Sequence, residues 1–221
     1  MSPTNEPPPA DRSIRSFAIV TVLAAIPLLI GFWFGGHILT QLLSPLVELA
    51  GRSIGVVDTL EPADGGWRVV TGDMAIGSDG RGGVLTLQLA ETELLRLALS
   101  IPFFLALMAA PPRASRWLLK VLIGVTAMTC VCVFSAAWVL LAKHMVEVNQ
   151  LDWGAGLRHS GVLVDAARYP DWMAYPVELG DYVTMAILPL AAPVVAWLVL
   201  NLEARAMVTG VLRRRSATIS D

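Results

Sequence analysis

Long stretches without charged side chains constrain this chain more than any other feature. Residues 17–47 contain no Asp, Glu, Lys or Arg, and residues 121–142 form another charge-free run. About 20 helical residues cross a bilayer core of about 30 Å. Only 15% of the chain is charged, against about 25% in soluble domains. The sequence therefore indicates a membrane protein, argues against a cytosolic globular domain and excludes a nucleic-acid-binding protein.

We predict a mainly α-helical membrane protein with four transmembrane helices and a small extracytoplasmic β-lobe between the first two helices. The helices are assigned to residues 17–47, 94–110, 121–142 and 182–202. The second is the shortest and holds Arg96 near one end, from where its guanidinium can reach the membrane interface. The first run exceeds the 7–15 apolar residues of a signal peptide core, which predicts an uncleaved signal anchor.

The charges predict the orientation of these helices. With four spans, both termini and the short link 111–120 share one side of the membrane. That side carries nine basic and four acidic residues, a net charge of +5, whereas the other carries seven basic and 14 acidic residues, a net charge of −7. Lys and Arg are retained on the cytoplasmic side. We therefore predict a multi-pass protein of the cell inner membrane with both termini in the cytoplasm.

The segments at the ends and between the spans differ in character. Residues 1–16 include three consecutive prolines and are predicted to form a disordered cytoplasmic tail. Residues 203–221 are predicted to form a second cytoplasmic tail. Residues 143–181 form a periplasmic loop, in which residues 161–168 resemble a short amphipathic helix and the aromatic residues of 169–172 are expected to lie on the lipid headgroups.

Residues 48–93 have the character of β-strands and form the predicted periplasmic β-lobe. Residues 67–70 are one short strand candidate. In residues 84–90, Val84 and Thr86 alternate with three leucines, which is typical of a half-buried strand. So small a lobe needs the membrane helices or a partner to cover its apolar face.

Two histidines are candidate ligands of a haem or metal cofactor. His37 and His144 both fall toward the outer ends of their predicted helices, and such pairs hold haem iron or other metals in some membrane proteins. Such a placement also arises by chance, and we favour the structural interpretation. We therefore predict neither a metal nor a cofactor.

The search for a catalytic set is negative. Cys130 and Cys132 point about 200° apart on one helix, so they cannot pair and are interpreted as apolar packing residues. His159, Ser160 and Asp165 are sequence neighbours, whereas the members of a catalytic triad normally come from distant segments. We predict no catalytic residues.

Small residues on the first helix allow another helix to approach it closely. They are Gly31, Gly35 and Gly36. Packing within a four-helix bundle and packing against a partner explain them equally well.

The layout of residues 20–203 resembles the exosortase H-associated membrane protein family. The resemblance rests on Pro27-Leu-Leu in the first span, Ser44-Pro-Leu-Val-Glu-Leu after it, and Leu99-Ser-Ile-Pro-Phe-Phe-Leu-Ala-Leu after the outer strands. It ends with Ile187-Leu-Pro-Leu-Ala-Ala-Pro-Val-Val-Ala-Trp-Leu-Val-Leu-Asn.

This resemblance implies a role beside an exosortase, a membrane enzyme that processes proteins with a C-terminal sorting signal. Exosortases carry a Cys/Arg/His set near the outer membrane face, whereas both cysteines of this chain lie in mid-span, so it is similar to the companion and not to the enzyme. The implied function is a non-catalytic accessory protein whose partner is the exosortase or its sorting-signal substrate. Two alternatives are a standalone envelope sensor or assembly subunit whose periplasmic lobe binds a sugar or lipid, and an enzyme hidden in the outer segments.

Overall fold

The protein is mostly helical, with one small antiparallel sheet. The computed structural model describes residues 9–76, 81–111, 116–149, 163–202, 205–206 and 209. The α-helices are α1 (Pro9–Ser53), α2 (Glu91–Ala98), α3 (Ser100–Ala109), α4 (Trp117–Asn149), α5 (Ala174–Tyr182) and α6 (Leu188–Leu200).

Four helical segments are long and apolar enough to cross a membrane. They are Arg15–Ser53, Glu91–Ala109, Trp117–Asn149 and Asp171–Leu200. A helix rises by about 1.5 Å per residue, so even the shortest, with 19 residues, matches a bilayer core of about 30 Å. The predicted architecture of four membrane helices is confirmed.

The helix ends differ from those expected from the sequence. Helix α1 begins at Pro9, so residues 9–16 are helical instead of belonging to a disordered tail, while residues 1–8 lie outside the described part. It also continues to Ser53, into the segment expected to be β-lobe. Helix α4 extends to Asn149, beyond the predicted end at residue 142. Most of the predicted tail 203–221 lies outside the described residues.

Two of the spans are interrupted near prolines. Helix α2 ends at Ala98, and Pro102 lacks the N–H that would bond to the carbonyl of that residue. The fourth span contains a 3-10 turn at Asp171–Met173, α5, a π-helical turn at Val183–Ile187 and α6. Pro189 cannot bond to the carbonyl of residue 185, which lies within the π turn, and such local irregularities are typical near prolines.

Three strands of the sheet lie between the first two spans in sequence, as predicted, and a fourth follows the third span. Its strands are β1 (Thr59–Ala63), β2 (Gly66–Ile76), β3 (Gly82–Ala90) and β4 (Leu163–Asp165). Strand β2 is central, since β3 pairs with one of its edges while β1 and β4 pair with successive parts of the other.

The short strand β4 corrects the interpretation of residues 161–168 as an amphipathic helix. Residues 163–165 pair antiparallel with residues 74–76 of β2, and residues 161–162 lie outside the described part. Because three residues carry too little periodicity to distinguish a strand from a helix turn, only their pairing with β2 defines them.

The sheet buries one face, with the predicted alternation. Leu85, Leu87 and Leu89 of β3 are buried, whereas Val84 is exposed. Trp67 of β2 is also buried, and its neighbour Gly66 has a positive φ of 149°. A Cβ atom at Gly66 would overlap the carbonyl oxygen of Leu89, so glycine permits the close approach of β2 and β3 there.

Contacts divide the chain into two compact units. The first comprises Met1–Phe34, Ser100–Met128 and Leu190–Asp221. In it, the ring of Phe17 stacks on Trp197 with centroids 4.9 Å apart, and buried Phe104 occupies space left open by Gly124.

The second unit comprises Gly35–Leu99 and Thr129–Pro189. It contains the whole sheet together with the C-terminal half of α4. A hydrophobic cluster of Ala142, Met145 and Val177 joins α4 to α5. All of the site described next belongs to this unit.

Candidate functional site

A polar cluster forms around His144, near the C-terminal end of α4. The Nε2 atom of His144 lies 2.6 Å from Oδ2 of Asp73 in β2, and Nδ1 lies 2.8 Å from the hydroxyl oxygen of Tyr169. The rings of His144 and Tyr169 meet edge to face, with centroids 5.7 Å apart. His144 is only 4% exposed. The cluster therefore connects three separate segments of the second unit through one buried imidazole.

The position of Asp73 depends on an irregularity in β2. The pairing of β2 with β3 shifts register between Val70 and Met74, and such bulges re-aim side chains. Within this shift, the buried hydroxyl of Thr71 donates a hydrogen bond to the carbonyl of Leu85, and the backbone N–H of Asp73 donates to the same hydroxyl. The bulge thus fixes the backbone that carries the carboxylate.

Asn149 holds Tyr169 in place. Its side-chain amide donates to the carbonyl of Tyr169 at 3.1 Å and accepts from the N–H of Tyr169 at 2.9 Å. Burial raises the pKa of the Tyr169 phenol above its ordinary value of 10.0, and the negative charge of Asp73 raises it further. The tyrosine is therefore a neutral hydroxyl in this cluster at physiological pH.

The chemistry of the three groups defines the hydrogen-bond directions. An ionised carboxylate only accepts hydrogen bonds, so Nε2 of His144 donates to Asp73. The hydroxyl of Tyr169 both donates and accepts hydrogen bonds, so it satisfies Nδ1 of His144. Because both ring nitrogens of His144 are hydrogen-bonded, neither is available to a metal ion. The bond to Asp73 also fixes strand β2 to helix α4.

A second polar cluster lies one residue earlier on α4. Lys143 Nζ is 2.8 Å from Glu93 Oε2 and donates to the carbonyl of Gln88 at 2.9 Å. The same Glu93 oxygen accepts from the backbone N–H of Ala90 at 2.9 Å. The Lys143–Glu93 ion pair therefore connects α4 to the C-terminal end of β3 and to the start of α2.

Two polar grooves flank the hairpin of β1 and β2. The larger has a volume of about 340 Å³ and is lined in part by Asp64, Arg68, Glu93 and Lys143. The smaller, of about 110 Å³, is lined in part by His37. Both provide charged or hydrogen-bonding groups to a small polar ligand.

The structure separates the two histidines considered as cofactor ligands. His37 is exposed and lines the smaller groove, whereas His144 is buried and bonded to Asp73 and Tyr169. Among the described residues, no group of three or more His, Cys, Asp or Glu side chains is placed to hold a metal.

The other residues considered from the sequence are also dispersed. Cys130 is exposed, while Cys132 is buried and donates to the carbonyl of Leu97 at 3.2 Å. Asp165 ends β4, whereas His159 and Ser160 lie outside the described residues. Glu93, three residues before Arg96, pairs with Lys143.

Sequence reasoning missed both polar clusters. Asp73 had no recognisable motif, and Tyr169 was assigned to the lipid headgroups, whereas it packs against His144. The available signal was the position of His144 near the end of a predicted membrane helix. It suggested a hydrogen-bonding side chain nearby without identifying which one.

Comparison with known proteins gives one positive result. A family model described as exosortase H-associated membrane protein matches residues 11–204, most of the chain. The chain belongs to the exosortase H-associated membrane protein family. The resemblance noted from the sequence is confirmed, and the family description associates its members with exosortase systems. No curated protein and no solved structure matches the chain.

Proposed function

We propose that this protein is a non-catalytic accessory subunit of an exosortase system, residing in the inner membrane and binding the exosortase or its sorting-signal substrate. Family membership supports the association with exosortases. The net charges of +5 and −7 on the two sides of the spans support cytoplasmic termini and an outward-facing sheet.

The observation that carries the proposal is the exposure of α1. The most hydrophobic window of this span contains no residue buried inside the protein, whereas the corresponding windows of the second and third spans are 56% and 44% buried. Trp33 and Phe34 in its middle are 71% and 76% exposed. Helix α1 therefore offers its surface to lipid or to a partner's helix.

The glycines of α1 provide a place for close helix packing. A Cβ atom placed at Gly31 or Gly35 would touch only the neighbouring backbone of α1. No other atom of the described chain lies within 4 Å of it. Small residues at a membrane helix interface let two backbones approach closely. Since the described chain does not fill these positions, they favour packing against a partner.

The polar clusters support binding rather than catalysis. Asp73, His144 and Tyr169 satisfy one another, and Lys143 and Glu93 satisfy backbone groups of β3. These hydrogen bonds hold the sheet against α4, so the sheet is an already ordered surface before a partner binds. A preformed surface loses less entropy when it binds a partner.

Site-specific photo-crosslinking tests the proposal. A photoreactive amino acid replaces Trp33 on α1 or, as the matched control, Val199 on α6, which is 67% exposed. We expect the probe at position 33 to crosslink the exosortase or a sorting-signal protein in cells, and the probe at position 199 to give much less product. Absence of both proteins from the position-33 products, with normal expression and membrane insertion, would count against binding through α1.

A second candidate function is that of an envelope sensor or assembly subunit whose outer lobe binds a sugar or lipid headgroup. The 340 Å³ groove beside β3, with Asp64, Arg68 and Lys143 in its wall, favours it. Calorimetric titration of the purified protein with envelope saccharides distinguishes the two. Saturable binding that is lost in Arg68→Ala, together with sorting-signal cleavage that does not depend on the protein, would favour the sensor.

A further inference from the structure

The outer edge of strand β3 has no neighbouring strand. Strand β3 pairs with β2 along one edge, and no strand of the described chain pairs with the other. In an antiparallel ladder the backbone groups of successive residues point alternately toward the neighbour and away from it. The carbonyl of Leu85 accepts from Thr71 of β2, whereas the carbonyl of Gln88 and the N–H of Ala90 bond to side chains of α4 and α2. The even-numbered residues of β3 therefore direct their backbone groups outward.

The outward groups differ between the two ends of this edge. At the C-terminal end, Lys143 and Glu93 supply hydrogen-bond partners to Gln88 and Ala90. No hydrogen bond from a described residue reaches the outward groups of Val84 and Thr86, so we define residues 82–86 as the free edge. Its groups repeat every two residues, about 6.8 Å apart. A second extended backbone has the same repeat, and strand addition to an exposed edge satisfies such groups together.

The free edge also lacks the features that keep sheet edges from pairing. Natural edge strands are protected by shortness, by proline, by charged side chains or by bulges. Strand β1 contains Glu61 and Pro62, and β4 has only three residues. Strand β3 has nine residues without a charge or a proline, and the register shift lies in β2. Its composition therefore favours pairing with a further strand.

An apolar patch borders the free edge on the exposed face of the sheet. Its four side chains are each between 44% and 60% exposed, and they are Met74, Ile76, Val84 and Leu163. Met74 lies opposite Val84, and Ile76 lies opposite Leu163, so the patch crosses three neighbouring strands. Contiguous exposed apolar side chains mark interaction sites. A strand added beside Val84 would place every second side chain on this face, where apolar residues extend the patch contact.

Two other occupants fit these features less well. Opposite side chains of an antiparallel pair lie on the same face, so two copies joined through β3 would leave both patches uncovered. The free edge is only about 17 Å long, far from the roughly 800 Å² per partner of a standard interface. Lipid tails could cover the patch, but they carry no groups that bond to the backbone of Val84 and Thr86.

We infer that the free edge of β3 binds an extended peptide segment with apolar residues at alternate positions, which joins the sheet as a further strand. The inference rests on the proposed function in assigning this segment to the sorting-signal protein. A five-residue edge accommodates a linear segment rather than a folded surface, and a C-terminal signal is the linear segment that the proposed partners offer.

Copurification of the tagged full-length chain with a coexpressed sorting-signal protein tests the inference. Thr86→Pro removes the outward N–H and sets a ring against an added strand, while the ladder with β2 keeps its groups. Thr86→Ala is the matched control because it retains the N–H. We expect the wild type and Thr86→Ala to recover the sorting-signal protein equally, and Thr86→Pro to recover at least tenfold less.

A second pair of variants covers the case in which Thr86→Pro does not fold. Val84→Lys places a charge in the exposed patch at the free edge, where lysine opposes strand addition. Glu61→Lys places the same side chain on the exposed part of β1. Only Val84→Lys should reduce recovery at least tenfold. Hydrogen–deuterium exchange of residues 82–86 should also slow several-fold in the complex, with residues 67–70 unchanged.

The outcomes separate this inference from the proposed function. Equal recovery by the wild type and Val84→Lys, or recovery of the exosortase alone, would overturn strand addition and leave the accessory role intact. Recovery of neither protein by the wild type would overturn both. A dimer that is lost in Thr86→Pro would assign the edge to a second copy. Slowed exchange of residues 82–86 with phosphatidylethanolamine vesicles alone would assign it to lipid.

Discussion

Asp73 and His144 are 71 positions apart in the chain, yet the Oδ2 atom of the first lies 2.6 Å from Nε2 of the second. This contact ties the central strand of the sheet to the C-terminal end of α4. The imidazole is buried, so its nitrogens depend on protein groups for hydrogen bonds. The pair is therefore one attachment of the sheet to the membrane helices, beside the hydrogen bond of Lys143 to Gln88.

Removal of the Asp73 carboxylate should weaken this attachment. In Asp73→Ala the Nε2–H of His144 loses its acceptor, and a buried unsatisfied group costs about 1–3 kcal/mol. We expect lower thermal stability in detergent, measured by the intrinsic fluorescence of the protein. Asp73→Asn retains an acceptor oxygen and should be less destabilised. Equal stability of Asp73→Ala and the wild type would contradict the role of the pair.

Tyr169 should cause a loss of stability at alkaline pH. Its pKa is raised above 10.0 in the folded protein, by burial and then by the charge of Asp73. A raised pKa means that the folded state favours the neutral phenol, so this contribution is complete below pH 10 and is lost as pH rises through the higher folded-state value. Absorbance at alkaline pH should show one late-titrating tyrosine.

The control for this prediction is the removal of single hydroxyl groups. Tyr169→Phe should abolish the late step and reduce the fall in stability above pH 10, whereas Tyr175→Phe should not, because Tyr175 is exposed. A late step that persists in Tyr169→Phe would assign the raised pKa to another residue.

The ion pair of Lys143 and Glu93 should protect the end of β3 from opening. Lys143→Met leaves the carbonyl of Gln88 without this donor, and a hydrogen bond to a charged group is worth about 1.5–3 kcal/mol. Hydrogen–deuterium exchange should become faster for amides of residues 88–90. Lys120→Met, a control outside the cluster, should leave that exchange unchanged, and an identical effect of both substitutions would indicate a nonspecific loss of charge.

Gly180 should not tolerate a side chain. A Cβ at this position would overlap the indole of Trp138, and overpacking a filled site costs typically about 1–3 kcal/mol. We expect Gly180→Ala to lower thermal stability. Gly35→Ala is the matched control, because open space surrounds that position and alanine favours the helix by about 1 kcal/mol. A stable Gly180→Ala variant would contradict the close packing.

The spans were predictable because hydropathy acts locally. A membrane helix requires about 20 apolar residues in a row, and a run such as residues 121–142 meets this requirement by itself. No distant residue changes it. The alternation of Leu85, Leu87 and Leu89 likewise records which face of β3 is buried. Each of these signals lies within one element.

The candidate site was not predictable for the opposite reason. Asp73 contacts His144 of α4 at the point where β2 shifts register between Val70 and Met74. Tyr169 follows a three-residue strand that exists only through pairing with β2. A single sequence does not report such pairings between distant segments, and the position of His144 near a helix end did not identify Asp73 or Tyr169 as its partners.

Affinity purification from detergent-solubilised membranes tests the central claim most directly. The tagged chain is recovered from cells that encode an exosortase and a sorting-signal protein, beside a tagged membrane protein of another family as control. We predict that the exosortase or its substrate copurifies with this chain and is absent from the control. Recovery of neither protein, together with unchanged sorting-signal cleavage after deletion of the gene, would contradict an accessory role.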